Sequence, residues 1–205
     1  MKDMEGPPLA MVNKAMDVLE QRHDFQDLPE EQATVVLQCL GEFSLYQRTD
    51  RVSIEFGTAL ADSGQAACVL CIIAAESDVP NVSMYGGTHC LREVFPACFI
   101  RVPRPVGRVT MRPETWKLKL TELMGVREVD FRDHPRFSRR YFVLASDEKV
   151  FRTNIDRKLL DLIGEQEGLF VEIQDVWLTA CLPETLSTGS IIRLAEFAVA
   201  ASSLK

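Results

Sequence analysis

Ten consecutive apolar residues, 66–75, constrain the fold of this chain more than any other segment. A membrane helix needs about 20 apolar residues, so this run is too short to span a bilayer. It is preceded by residues 51–57, in which apolar and polar side chains alternate strictly, and by a turn sequence at 62–64. The alternation predicts a strand with one face in water, with Glu55 on the wet side, and the apolar run predicts a central strand buried on both faces.

Three longer helices are predicted around these strands. Apolar residues recur every three or four positions over residues 9–21, which indicates an amphipathic helix. A second helix is predicted from a start at Asp27-Leu28-Pro29-Glu30-Glu31 to about Leu40, with Asp27 near its cap, Pro29 early in its first turn and Gly41 at its end. A final helix over residues 183–202 carries alanines on one face, and such small residues let a helix lie close against a sheet.

Turn and cap signals predict the shorter elements. Residues 92–102 are strand-like, but Pro96 has no N–H to donate, so it must lie at a sheet edge or at a bulge. Residues 76–88 contain a proline and two glycines and are predicted as a loop. Further strands are predicted at 108–111 and 140–145, and strands 169–173 and 176–181 are predicted to form a hairpin turned by Gln174-Asp175. Further helices are predicted from Pro113 to Gly125, after a cap at Ser146, and over 155–164. A polar turn is predicted at 133–135.

Strands joined by hairpin-like connections and separated by helices predict an α+β fold, with a mostly antiparallel sheet packed against helices. The helices include an amphipathic N-terminal pair and the C-terminal helix. A chain of 205 residues can bury roughly 70% of its unfolded surface around one core. We therefore expect a single domain over 1–205, with a weak internal seam near 103–107, where two prolines and a glycine interrupt the chain.

Charge and cysteine usage bound the environment of the protein. The formal net charge of −7 works against binding to polyphosphates or anionic lipids. The first residues lack the basic patch and apolar run of a secretory signal, so a cytoplasmic location is expected. The six cysteines are interpreted as buried thiols in a reducing compartment.

Three constellations resemble reactive sites, and each has a structural explanation. Cys68 and Cys71 have the spacing of a metal or redox pair, but residues three apart in a strand point to opposite faces. Cys90 could pair with His134 only through the fold. Asp130, His134 and Ser138 contain the residue types of a hydrolytic triad, yet they lie within nine positions and no nucleophile elbow surrounds the serine. No cofactor, metal site or catalytic residue is therefore predicted.

One local concentration of arginines stands out, the Arg132–Arg140 cluster. Its members are Arg132, Arg136, Arg139 and Arg140, interleaved with Phe131, Phe137 and Tyr141. Basic residues among aromatics can bind phosphates or stack on bases, whereas arginines on a solvated turn pair with nearby acids. His134, Arg136, Arg139 and Arg140 are the candidate residues for surface binding.

The same region resembles a known family. The segment Met111-Arg112-Pro113-Glu114, the block from Val129 to Tyr141 and Ser146-Asp147-Glu148 are similar to an uncharacterised bacterial family with an LRPE, DIDF, HPEFSRRY and DE pattern. The resemblance implies a shared fold and transfers no activity. Phe131, Phe137 and Tyr141 would be core anchors, with His134-Pro135 fixing the turn. Some members carry a membrane helix ahead of this domain, and membrane association is not expected for this chain.

The sequence thus predicts a soluble, non-enzymatic interaction or accessory module of a bacterial cytoplasm, with another protein as its expected partner. Such a module should expose an apolar patch or an open sheet edge, for example at the Pro96 strand. One alternative is binding of a small ligand, or a hydrolase-like activity, in a cleft near His134. A second is weak nucleic-acid binding through the Arg132–Arg140 cluster.

Overall fold

The apolar run lies inside a long central strand of an antiparallel sheet. The computed structural model describes residues 7–40, 43, 49–62, 65–80, 88–114, 127–131, 133–183 and 186–204. Strand β3 (Gln65–Pro80) pairs along its length with β2 (Arg51–Asp62) on one side and β4 (Thr88–Arg101) on the other. The prediction of a central strand is confirmed.

Nine strands form one sheet within the described residues, in the order β1-β2-β3-β4-β9-β8-β5-β7-β6, and neighbouring strands are antiparallel. The other strands are β1 (Phe25–Asp27), β5 (Arg108–Pro113), β6 (Arg127–Glu128), β7 (Tyr141–Ala145), β8 (Phe170–Gln174) and β9 (Trp177–Cys181). The helices are α1 (Pro7–Leu19), α2 (Glu30–Leu40), α3 (Pro135–Arg140), α4 (Glu148–Asn154), α5 (Arg157–Glu165) and α6 (Thr188–Ser202). The α+β class with a mostly antiparallel sheet is confirmed.

Hydrophobic cores lie on both faces of this sheet. Leu70 and Ile72 of β3 belong to a large cluster that also contains the buried side chains of α1 and of α3 to α6. Cys71 and Ile73 point the other way, into a smaller cluster with α2. The two N-terminal helices are both present, but they pack on opposite faces of the sheet and do not form a packed pair.

The C-terminal helix α6 begins with a capping box, in which Ser187 and Ser190 exchange side-chain and backbone hydrogen bonds. It buries Ala195, Ala198 and Ala201 and packs on β3 and β4. This placement confirms the prediction that its small residues allow close packing on the sheet. No described helix is long and apolar enough to cross a bilayer.

The loop predicted over 76–88 is wrong at both ends. Strand β3 continues to Pro80, β4 already begins at Thr88, and residues 81–87 lie outside the described part of the chain. Pro96 lies opposite Ile72 of β3, whereas the ladder with β9 begins only at Ala97. The proline therefore lies on a stretch of β4 with one free edge, as its missing N–H requires.

Several helix boundaries also differ from the prediction. Asp27 ends strand β1 and does not cap α2, and Gly41 lies outside the described residues. Pro113 is the last residue of β5, opposite Tyr141, and residues 115–125 of the helix predicted there are not described. Asp147 caps α4 by accepting a hydrogen bond from the Val150 N–H, while Ser146 Oγ accepts one from the Arg108 N–H.

Glu55 was placed on the wet side of β2 by the alternation, and the structure buries it. The register with β3 shifts between Ile54 and Phe56, so the alternation is interrupted at this residue. Its carboxylate lies 3.0 Å from the guanidinium of Arg92 on β4.

The hairpin of β8 and β9 is confirmed, with Asp175 in the left-handed region at φ +56°. Residues 103–107 connect β4 to β5, and the single domain with a seam there stays a prediction.

Two glycines provide a matched test of the packing between α3 and α5. A Cβ on Gly164 of α5 would lie 3.1 Å from backbone atoms of Phe137, whereas a Cβ on Gly189 of α6 would meet nothing closer than 3.9 Å. We expect Gly164→Ala to lower the free energy of unfolding by about 1–3 kcal/mol through overpacking. Gly189→Ala should raise it by up to about 1 kcal/mol, because alanine favours the helix. Urea unfolding of both variants checks this, and equal effects would contradict the close approach.

Candidate functional site

The four candidate residues lie on α3 or immediately before it. The turn predicted at 133–135 is present at Asp133, where the His134 N–H donates to the Phe131 carbonyl, and it leads into α3, a helix that the sequence did not predict. Pro135 is its first residue, where no N–H is needed, and Arg139 and Arg140 lie in its last turn beside the negative end of the helix dipole. Six residues are too few for a helical period to appear in the sequence.

A chain of aromatic rings anchors α3 to the core. Phe131 meets Phe151 edge to face at 5.4 Å between centroids and Phe137 at 5.8 Å. Phe137 in turn stacks on Tyr141 at 5.5 Å. All four side chains are buried, so Phe131, Phe137 and Tyr141 do lie in the core as predicted. Aromatic pairs of this kind stabilise by about 0.5–1.5 kcal/mol beyond their buried area.

His134 is buried and does not lie on the surface as predicted. Its Nδ1 atom is 2.6 Å from Asp161 Oδ1 of α5, and its ring meets Phe131 edge to face. The Nε2 atom is also buried and has no hydrogen-bond partner among the described residues.

Ser138 is part of the local backbone structure. Its hydroxyl donates to the carbonyl of Phe131 at 2.8 Å and accepts from the Phe131 N–H at 3.1 Å. His134 pairs with Asp161 and not with Asp130. The described geometry therefore brings together no triad of Asp130, His134 and Ser138. Cys90 and His134 are likewise held apart, on β4 beside Asp78 and at α3 respectively.

The described arginines of the Arg132–Arg140 cluster differ in whether their guanidinium groups form hydrogen bonds or ion pairs. Arg140 donates to the carbonyls of Gly164 and Glu165 at 3.2 Å each and lies 3.5 Å from a Glu167 carboxylate oxygen. Arg136 and Arg139 are exposed, and neither forms an ion pair with any described acid. Arg132 lies outside the described residues.

A cavity of about 420 Å³, here called the α3 cavity, opens beside the C-terminal end of α3. Arg139 and Arg140 line it, whereas His134 and Arg136 do not. Its other lining residues are Pro113, Glu114, Tyr141, Gln166, Glu167, Gly168, Phe170 and Pro183. The structure thus brings two of the four candidate residues to one concave site.

Burial raises the pKa of Tyr141 to about 12, so its phenol stays protonated at neutral pH.

The cysteines are mostly core residues. Cys68 and Cys71 lie in the clusters on opposite faces of the sheet, as strand geometry predicts. Burial raises the pKa of Cys68 to about 11 and the pKa values of Cys71 and Cys181 to about 12. The interpretation of all six as buried is wrong for Cys90, which is exposed, while Cys39 is half-buried. Within the described ranges, no three His, Cys, Asp or Glu side chains come together as a metal site.

A second concave surface, here called the α2 groove, lies between α2 and β2. It has a volume of about 450 Å³ and is lined by Leu28, Glu30, Ala33, Leu37, Val52, Ser53 and Ile54. Strand β1 pairs only with residues 58–60 of β2, and the Leu28 N–H reaches the carbonyl of Gly57 at 3.4 Å. Residues 51–56 of β2 therefore have no strand on this side among the described elements. The edge of β2 and the groove coincide.

Three consecutive apolar residues in α2 indicate this surface in the sequence. A helix with one buried face should not have three consecutive apolar residues, yet α2 contains Val35, Val36 and Leu37. The structure buries Val36 and leaves Val35 and Leu37 each 43% exposed. Leu37 lines the α2 groove and Val35 does not.

Thiol reactivity tests the placement of the cysteines. We expect Cys90 to react first with a disulfide reagent such as DTNB at pH 8, Cys39 more slowly, and the four buried cysteines only when the protein unfolds. The thiolate is the reactive form, and burial both shields it and raises its pKa. Cys90→Ser should remove the fast phase. Rapid reaction of the Cys39→Ser/Cys90→Ser double variant would contradict the buried placement.

Comparison with known proteins gives one informative match. No protein-family model matches the chain, and no curated protein matches its sequence. Among solved structures, the chain is similar to the mycobacterial trehalose monomycolate transport factor A, TtfA. The TM-score is 0.54 at 10% sequence identity, over 98% of this chain and 95% of that one. At this identity the similarity shows that the two proteins share a fold.

Proposed function

We propose that this protein is a non-enzymatic accessory module that binds another protein, and that an extended segment of the partner lies in the α2 groove beside β2. The observation that carries the proposal is the coincidence of an apolar groove with an edge of β2 that no described strand covers. Neither feature alone would select a class of partner.

The free edge favours an extended peptide as the bound element. Backbone N–H and C=O groups of residues 51–56 that point away from β3 can pair with an added strand, which satisfies groups that otherwise depend on water. Alternate side chains of such a strand would point to the same side as Val52 and Ile54 and enter the groove. Leu37 would cover them from α2.

Charge at the rim adds a preference. Glu30 lines the groove, and Glu31 beside it in the first turn of α2 is exposed. A basic residue next to the apolar positions of the partner would meet these carboxylates. The preferred segment is therefore apolar at alternate positions and carries a flanking Lys or Arg.

The free edge of β4 over residues 88–96 is a weaker candidate. It carries Arg92 and Glu93, and charged residues on an edge oppose pairing with another strand. Arg92 is also engaged by the carboxylates of Glu55 and Glu76 at 3.0 and 3.6 Å. Leu91 is exposed there, but none of the cavities described above lies at this edge.

The structural similarity supports a more specific proposal, in which the accessory role concerns transport. A protein of the same fold is the mycobacterial trehalose monomycolate transport factor A. We propose that this chain, too, assists a transport process through its bound partner. A bacterial origin, a cytoplasmic location and membership of the LRPE-containing family remain predictions of the sequence.

The other two hypotheses have less support. A hydrolase-like site near His134 would need the Ser138 hydroxyl and the Nε2 atom of the imidazole to face a substrate. The hydroxyl is bonded to the Phe131 backbone, and Nε2, the nitrogen that the Asp161 contact leaves for catalysis, is buried. Nucleic-acid binding would need several free cations along the Arg132–Arg140 cluster, and Arg140 is already bonded to two carbonyls and near Glu167. The net charge of −7 also opposes a polyanion.

Two equally exposed residues of α2 provide the test. Fluorescence polarisation with labelled ten-residue peptides, apolar at alternate positions and with a flanking Lys, should reveal a binding sequence. Leu37→Asp should weaken its binding by about tenfold or more, because a carboxylate would lie against the apolar side chains of the peptide. Val35→Asp should change it less than twofold.

Hydrogen exchange on the complex locates the bound strand. Amides of residues 51–56 should gain protection when the peptide binds, while residues 88–96 should not. Equal binding by both α2 variants, or protection confined to residues 88–96, would contradict the proposed site. If no peptide of this pattern binds, the proposal that the α2 groove receives an extended segment is wrong.

A further inference from the structure

We propose that the α3 cavity binds a small amphipathic anion, meaning one carboxylate or phosphate group carried on an apolar body. This inference rests on residues outside the α2 groove and does not depend on the proposed function. The cavity of about 420 Å³ falls within the range of about 300–1,000 Å³ that is typical of small-molecule sites.

Arg139 supplies the group that would hold the anion. Its guanidinium is exposed at the cavity and pairs with no acid among the described residues. A planar guanidinium binds carboxylate or phosphate oxygens through two parallel hydrogen bonds. Because Arg139 has no competing ion pair to break, its full hydrogen-bonding capacity is available to a ligand.

Arg140 borders the same cavity in a fixed position. The carbonyls of Gly164 and Glu165 accept hydrogen bonds from one of its nitrogens, and Glu167 lies near another. These contacts occupy some of its donors and hold the guanidinium in place, while its charge is only partly offset by the exposed Glu167 carboxylate. Among the described lining residues, Arg139 is thus the cation without a competing partner, and it shares the cavity with the carboxylates of Glu114 and Glu167. Repulsion from these carboxylates grows with the charge of the ligand, so a single anionic group suits the cavity better than a polyanion such as nucleic acid.

The apolar body of the ligand would lie against a rigid floor. Tyr141 is held by stacking on Phe137 and by the hydrogen bond from its hydroxyl to the carbonyl of Gln166 at 3.1 Å. Phe170 is held by the guanidinium of Arg112, 4.8 Å from its ring centroid. Pro113 and Pro183 complete the apolar lining. A floor fixed before binding lowers the entropic cost of association.

Calorimetric titration with four probes below their micelle concentrations tests the proposal. Octyl phosphate and octanoate should bind with one site per chain. Inorganic phosphate, which lacks the apolar body, and octyl glucoside, which lacks the charge, should each bind at least tenfold more weakly. Equal binding of inorganic phosphate or of octyl glucoside would overturn the requirement for an amphipathic anion.

Matched arginine variants locate the site. Arg139→Gln should weaken octyl phosphate binding by about tenfold or more, since a charge-assisted bidentate contact is lost. Arg136→Gln, an exposed arginine of the same helix that does not line the cavity, should change it less than twofold. Leu37→Asp should also leave it unchanged, which separates this site from the α2 groove. Unchanged binding by Arg139→Gln would overturn the proposal.

Discussion

Both faces of β3 must be covered, because its apolar side chains point alternately to the two sides of the sheet. Several helices cover one face, namely α1, α6 and the helices around α3. On the other, within the part of the chain that the structure describes, α2 and Phe43 supply the buried residues of the smaller cluster that lie outside the strands. A single helix covers less of the sheet than several do. The α2 groove lies where this thinner layer meets β2, the strand next to β3, so it follows from the burial requirement of its neighbour in the sheet.

The residues that look reactive in the sequence contribute to the fold instead. The aromatic chain from Phe151 to Tyr141 fixes α3, and Ser138 and His134 are bonded within that arrangement. The unpaired Nε2 atom of His134 is an unfavourable feature, since a buried polar atom without a partner costs about 1–3 kcal/mol. Surrounding aromatic packing offsets such a cost. Arg139 and Arg140 are exposed in the last turn of α3 and line the α3 cavity.

Side-chain periodicity predicted the elements that are long enough to display it. The central strand, the α1 stripe and the small-residue face of α6 all appear as expected. Shorter or interrupted elements could not be predicted in this way, because α3 has six residues and the bulge at Glu55 shifts the alternation of β2. Of the four candidate residues, Arg139 and Arg140 do line a cavity. Separating them from His134 needed the contacts with Asp161, which lies 27 positions further along the chain.

A strand edge that no described strand covers can hydrogen-bond to any extended segment of compatible sequence, including the same segment of a second copy of this chain. Two copies could align residues 51–56 side by side and bury their groove-facing leucines against each other. The occupancy of such a self-pairing would rise with protein concentration, whereas a cognate segment would compete with it and keep the molecule monomeric. Partner binding and the prevention of self-association would then both depend on the backbone N–H and C=O groups of residues 51–56 that point away from β3.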